Sequence, residues 1–352
     1  MTEPAAPRPP DGQQPPTRED LEREILGQRP DLTVGDIVAD GQVSVETARR
    51  LWRALGFPDA RGARAFTSAD GDAMRLLASL VDDGHLDMDT AVKLTRAVGH
   101  TMARLADWQV STLSEYVESL EHAGRGTGSR LGTGLGVLRA VEPSFEELLR
   151  YAWRRHLAAA VGRVEALGAE DSDLHTVVVT VAFADLVSFT HLANGIDGQR
   201  LADLVEDFES ACADVVTAGG GRVVKTLGDS VLFIVGGPRS GIDIACDVVD
   251  RIGGDENLPD VHVGLATGPV VMRLGDVFGP SVNLASRLTG IARRNRVICD
   301  AATAAAVLDV EGYAARALTE REIRGFGTVQ PISIRRPSRG GPWSARTASP
   351  GG

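Results

Sequence analysis

Asp185 and Asp229 are two carboxylates whose setting suits chemistry. Asp185 follows the β-branched run Thr176 to Phe183, and Asp229 sits in the Gly228-Asp229 turn between two strand-like runs, Arg222 to Leu227 and Ser230 to Val235. If the first strand lies beside that hairpin, the two acids converge. Adjacent like charges are costly unless a cation neutralises them, and Mg²⁺ favours oxygen ligands completed by water and phosphate. A plainer reading also stands, in which Asp185 caps the next helix and Asp229 shapes the turn. Lys225 lies four residues before Asp229. Only Lys93 and Lys225 among the 37 basic residues are lysines, so an ammonium at 225 runs against the habit of the chain, unless it is merely an exposed strand lysine. Asn283 and Arg287, four apart on a predicted helix, emerge on one face; read alone they are a cap and a solvated surface group.

The elements that must position these residues fall into two regions. From Leu21 to about Leu120 apolar residues recur at helical spacing, as in Leu94, Val98, Met102 and Leu105. Six glycines between Gly124 and Gly136 then predict either a joint or a helix break. Pro143-Ser144-Phe145-Glu146-Glu147 reads as a helix start with Ser144 as cap, running to about Leu167. The pattern then changes to a strand at Thr176–Phe183, a helix at Leu201–Val216, the hairpin, a helix at Ile242–Ile252 and a strand at Val261–Ala266. This order predicts an α+β, ferredoxin-like βαββαβ fold with helices on one face of an antiparallel sheet. A helix at Val282–Arg293, a short strand at Val297–Cys299 and weaker strands near Ala314 and Ile332 follow.

The 352 residues are too many for one small module, and 43% hydrophobic with 24% charged residues fits packed cores. A formal charge of -11 opposes nonspecific affinity for nucleic acid or anionic lipid. Cys212, Cys246 and Cys299 have no metal-ligand spacing and read as reduced core residues. With no apolar signal region and no membrane-length apolar run, a cytoplasmic protein without a membrane span is expected. GGGRVVKT fails as a phosphate loop because its glycines precede a strand, and GTGSRLG follows no strand, so it is no dinucleotide fingerprint. The segment LVSFT, with Phe189 and Thr190 at a helix start, offers backbone N–H groups to phosphate oxygens.

Together VAFADLVSFT, VVKTLGDSVLF, VGLATGPVV and GDVFGPSVNLASRLTGIA resemble the successive motifs of class III nucleotide cyclases over residues 174 to 336. The resemblance implies an adenylate cyclase that converts ATP to 3′,5′-cyclic AMP and pyrophosphate. Asp185 and Asp229 match the aspartates that bind Mg²⁺ or Mn²⁺, two ions per site, and Lys225 with Asp276 matches the adenine-selecting pair. Asn283 and Arg287 match the residues that position the ribose and stabilise the α-phosphate charge. Arg324 stands where many relatives have a lysine at the terminal phosphates, and Ser188 stands where glycine is common. In the family the metal and base halves of each site come from different subunits, which implies a head-to-tail homodimer.

The expected organisation is a disordered tail at 1–18, a helical regulatory domain at 19–140, a linker helix at 141–173, the catalytic domain at 174–336 and a flexible tail at 337–352. The helical part resembles, faintly, regulatory domains of pH-responsive actinobacterial cyclases, with His156, His175 and His191 as candidate pH sensors. An alternative is a DNA-binding regulator with a degenerate nucleotide-sensing domain, because Thr33 to about Leu86 loosely resembles the winged helix-turn-helix of MerR-type proteins.

Overall fold

The computed structural model describes residues 16–39, 41–60, 62–166, 176–273 and 275–336, apart from the side chains of 163–166. Most of the expected N-terminal tail, the whole C-terminal tail, and the end of the linker helix with His175 lie outside these residues. The chain divides into two compact units, 1–161 and 162–352.

The first unit is helical: α1 (Arg18–Leu26), α2 (Val34–Ile37), α3 (Val45–Ala54), α4 (Ser68–Asp82), α5 (Met88–His122) and α6 (Arg130–Ala166). Local chemistry sets the starts. Thr33 with Asp36 and Thr67 with Asp70 form capping boxes, while Ser44 and Asp87 accept from the backbone of α3 and α5. Leu51, Met74 and Phe66 anchor a small core, and Trp52 packs with ring centroids 4.5 Å from both Phe57 and Phe66. Gly99 lies so close to α3 that a Cβ there would stand 2.3 Å from the Leu55 carbonyl oxygen.

The expected helix start at Ser144 is not observed, because α6 begins at Arg130 and carries Pro143 inside it. A proline removes one backbone donor and disfavours the helix at the residue before it, so Pro143 reads locally as a boundary, yet apolar and good helix-forming residues on both sides continue through it.

The second unit holds β1 (Thr176–Leu186), α7 (Phe189–Ala193), α8 (Gly198–Ala218), β2 (Arg222–Thr226), β3 (Ser230–Val235), α9 (Pro238–Gly253), β4 (Val261–Arg273), β5 (Asp276–Phe278) and α10 (Pro280–Thr289). After these come β6 (Arg296–Cys299), α11 (Ala301–Ala304), β7 (Ala314–Ala317), β8 (Arg321–Ile323), β9 (Gly327–Val329) and β10 (Ile332–Arg335). The eight-stranded sheet runs β2-β3-β1-β4-β6-β10-β7 with β5 paired to β4, and its first four strands are antiparallel neighbours in the ferredoxin-like order.

Strand alternation separates two cores. Ala182, Ala184 and Leu186 of β1 pack with α8 and α9, whereas Val179 and Val181 pack with Ala285 and Leu288 of α10. The two helices of the βαββαβ order, α8 and α9, share one face as expected, and α10, which follows that order, covers the opposite face. β4 is twice as long as expected. Gly268-Pro269 reads as a breaker, but Pro269 falls beyond Leu265, the last residue of β4 that pairs with β6. No helix among the described residues is long and apolar enough to cross a membrane, and the three cysteines are buried and unpaired.

Candidate active site

Asp185 lies inside β1, opposite Ser230 of β3 and His262 of β4, and not past the end of the strand as the sequence suggested. The ladder simply continues through it, so it caps no helix; α7 starts after Ser188 with no side-chain cap. The Leu186 N–H donates to the Asp229 carbonyl at 2.9 Å, which ties the β2–β3 turn to the end of β1. Gly228, at φ 73°, supplies the left-handed residue of that turn. The two carboxylates converge: burial and the Asp185 charge push the Asp229 carboxyl above its ordinary range. His262 Nε2 lies 3.2 Å from Asp185 Oδ2.

Two neighbouring carboxylates, Asp229 being raised in part by the charge of Asp185, suit a divalent cation completed by phosphate and water. Among the described residues no group of three or more His, Cys, Asp or Glu side chains could hold a metal ion by itself.

Lys225 reaches its place through an irregularity. Val223 pairs with Phe233, yet Lys225 pairs with Leu232, so Val224 is an extra residue in β2. Such a bulge re-aims the side chains that follow it. Strict alternation would turn Lys225 to the face of α8 and α9; the bulge turns it to the face that Leu232 shares with α10. There Lys225 Nζ meets Asp276 Oδ2 at 2.6 Å, and Asp276 Oδ1 accepts from the Val277 N–H at 2.8 Å. Burial alone would raise the Asp276 carboxyl, but the Lys225 and Val277 hydrogen bonds outweigh it and hold the carboxyl below its usual range. Lys225 is half-buried and paired, not a free strand lysine.

Helix α10 carries Asn283 and Arg287 on its exposed side. Its N-cap is Gly279, which excludes Asn283 as a cap. The inner side approaches β4 at two glycines: a Cβ on Gly264 would stand 2.2 Å from the Thr289 nitrogen, and one on Gly268 would stand 2.4 Å from Ser281 Oγ. Phe189 packs its ring against the first core, leaving the backbone N–H groups of Phe189 and Thr190, in the first turn of α7, without intrahelical acceptors. Ser188 has φ 61°, a left-handed backbone that explains why glycine would suit the position. Arg324 is exposed in the β8–β9 turn, and no hydrogen bond joins it to the other site residues among those described.

His262, Gly264 and Gly268 were not singled out from the sequence. A histidine and two glycines four apart inside VHVGLATG were the available signal, and only the register of β4 gives them meaning.

The family described as "Adenylate and Guanylate cyclase catalytic domain" matches residues 174–334. Across 347 residues the chain is 38% identical to an adenylate cyclase of Streptomyces coelicolor, covering 91% of this chain and 90% of that one. An adenylate cyclase of Streptomyces griseus is 40% identical over 284 residues, covering 81% and 70%. Among solved structures, the catalytic core of a rhodopsin-guanylyl cyclase in complex with ATPalphaS is 20% identical, with a TM-score of 0.43, covering 46% of this chain and 96% of that one. The chain belongs to the class III adenylate cyclases, a family of phosphorus-oxygen lyases.

Proposed function

We propose that the chain cyclises ATP to 3′,5′-cyclic AMP and pyrophosphate in a head-to-tail homodimer, each site built from the Asp185–Asp229 half of one copy and the Lys225–Asp276 half of the other. The observation that carries this reading is the convergence of Asp185 and Asp229 beside a hairpin whose bulge delivers Lys225 to Asp276.

Adenine fits the paired half. The Lys225 ammonium donates to ring N1 and the Asp276 carboxylate accepts from the 6-amino group, whereas guanine presents the reverse pattern on that edge. Asn283 orients the ribose, Arg287 balances charge developing on the α-phosphate, and Arg324 meets the terminal phosphates together with the N–H groups of Phe189 and Thr190. Asp185 and Asp229 hold Mg²⁺ or Mn²⁺, two ions per site, which when bound acidify the ribose 3′-hydroxyl and neutralise phosphate charge. The 3′-oxygen attacks the α-phosphorus, pyrophosphate leaves, and the hydroxyl proton passes to solvent. The helical unit regulates turnover by changing how the two copies are set against one another.

Incubation of the purified chain with ATP or GTP and each metal tests the reading. Cyclic AMP should form from ATP with Mn²⁺ or Mg²⁺, and almost none should form from Asp229→Ala. Equal product from that variant, or cyclic GMP as the main product, refutes it.

A further inference from the structure

We propose that the cleft between α3 and α5 of the helical unit binds a small polyphosphate, either free pyrophosphate or triphosphate or the phosphate tail of a nucleotide. The cleft has a volume of about 420 Å³ and is walled by Arg50 and Arg53 from α3 and by Asp89, Lys93 and Arg96 from α5. That volume lies within the range of small-molecule sites. Its floor includes the buried Ala54 and Val92.

The charge balance points to an anion. Four cations share one carboxylate, an excess of three positive charges in a chain whose formal charge is -11. Arg50 meets Asp89 at 2.6 Å across the two helices. Among the described residues no ion pair reaches Arg53, Lys93 or Arg96, although Lys93 also feels the Asp87 carboxylate at the start of α5 and Arg53 Nε donates to the Arg49 carbonyl at 3.3 Å. Arg50 and Arg53 are three apart on one helix, and Lys93 and Arg96 are three apart on the other, so each pair of like charges lies side by side. Such a cluster repels itself until an anion enters, and guanidinium forks match the paired oxygens of phosphate.

The cleft is also held at a fixed width. The missing side chain of Gly99 lets α5 touch Leu55 at the end of α3, while the Arg50–Asp89 pair bridges the helices further along. A continuous phosphate backbone crossing the mouth would meet the 75% exposed Asp89 carboxylate, so a short anion fits better than a nucleic acid. Lys93 is one of only two lysines in the chain, as unusual here as Lys225 is in the sheet.

Calorimetric titration of the full chain in chelator, with pyrophosphate, triphosphate and ATP in separate runs, tests the proposal. The parent should bind in a salt-sensitive manner. Lys93→Glu with Arg96→Glu should weaken that binding at least tenfold while the circular dichroism spectrum and melting temperature are kept, and Lys93→Arg should retain it. Binding of pyrophosphate and triphosphate as tight as that of ATP assigns the site to free polyphosphate; binding of ATP alone assigns it to a nucleotide tail. Identical titrations of the parent and the double glutamate variant overturn the proposal. So does a parent that binds no polyphosphate but retards duplex DNA in a gel.

Discussion

In the sheet unit Lys225 meets Asp276 at 2.6 Å, charge for charge, whereas at the α3–α5 cleft four cations share the single carboxylate of Asp89. A matched pair on strands fixes a hydrogen-bonding pattern, which suits a neutral base edge. An unmatched set on helices fixes a field, which suits an anion. The two kinds of ligand ask for different scaffolds: strands fixed by their ladders, β2 to β3 and β5 to β4, hold a donor and an acceptor in place, while two helix faces need only bring like charges near one another.

Replacing Asp185 by Asn should lower the rate of cyclic AMP formation at least about 100-fold, read as initial velocity at saturating metal; a variant of near-parental rate would remove the carboxylate pair from the chemistry. Lys225→Ala should reduce the preference for ATP over GTP by about tenfold to 100-fold in the ratio of kcat/KM values. An unchanged ratio would show that the matched pair does not read the base. Gly264→Ala should cost about 1–3 kcal/mol, seen as a lower urea midpoint at unchanged slope, because the added carbon meets the backbone of α10.

The paired and unpaired sites should also respond in opposite directions when one cation is removed. In the parent the lowered Asp276 carboxyl contributes stability at pH values above the ordinary carboxylate range, and that contribution is lost as pH falls through its depressed folded value. Lys225→Met should therefore melt lower at neutral pH, with the deficit closing in acid. Arg96→Met should instead melt slightly higher at low salt, by about 0.2–0.5 kcal/mol, and the gain should fade as salt screens the cleft. A loss of stability on removing Arg96 would mean that the cleft already holds its counter-charge within the chain.

Much of the sheet unit was legible because chemistry constrains residue types. The Ser230–Val235 strand, the Gly-Asp turn and the approach of Asp229 to Asp185 all follow from local pattern and one topological step. Three things were not legible, for two reasons. Pro143 passes through a helix because helix-forming residues flank it on both sides, whereas Pro269 sits in a strand and Val224 bulges where other strands pair beside them, and no window around Pro269 or Val224 contains those partners. Asp185 reads as lying just past the strand because a polar residue ending an apolar run looks like a loop, although its pairing with Ser230 and His262 keeps it in the ladder. The cationic cleft is not legible in the sequence because its charges come from segments some forty residues apart, brought together where α3 packs on α5 and Arg50 meets Asp89.

The strand β2 lies at the margin of its sheet, with β3 as its one ladder neighbour. An inserted residue in an interior strand would have to be absorbed on two sides; here only one ladder has to yield. The proposed discrimination between purines thus sits on a defect that the margin tolerates: excising Val224 would straighten β2 yet leave the lysine opposite Leu232, on the same layer, with the strands beyond undisturbed.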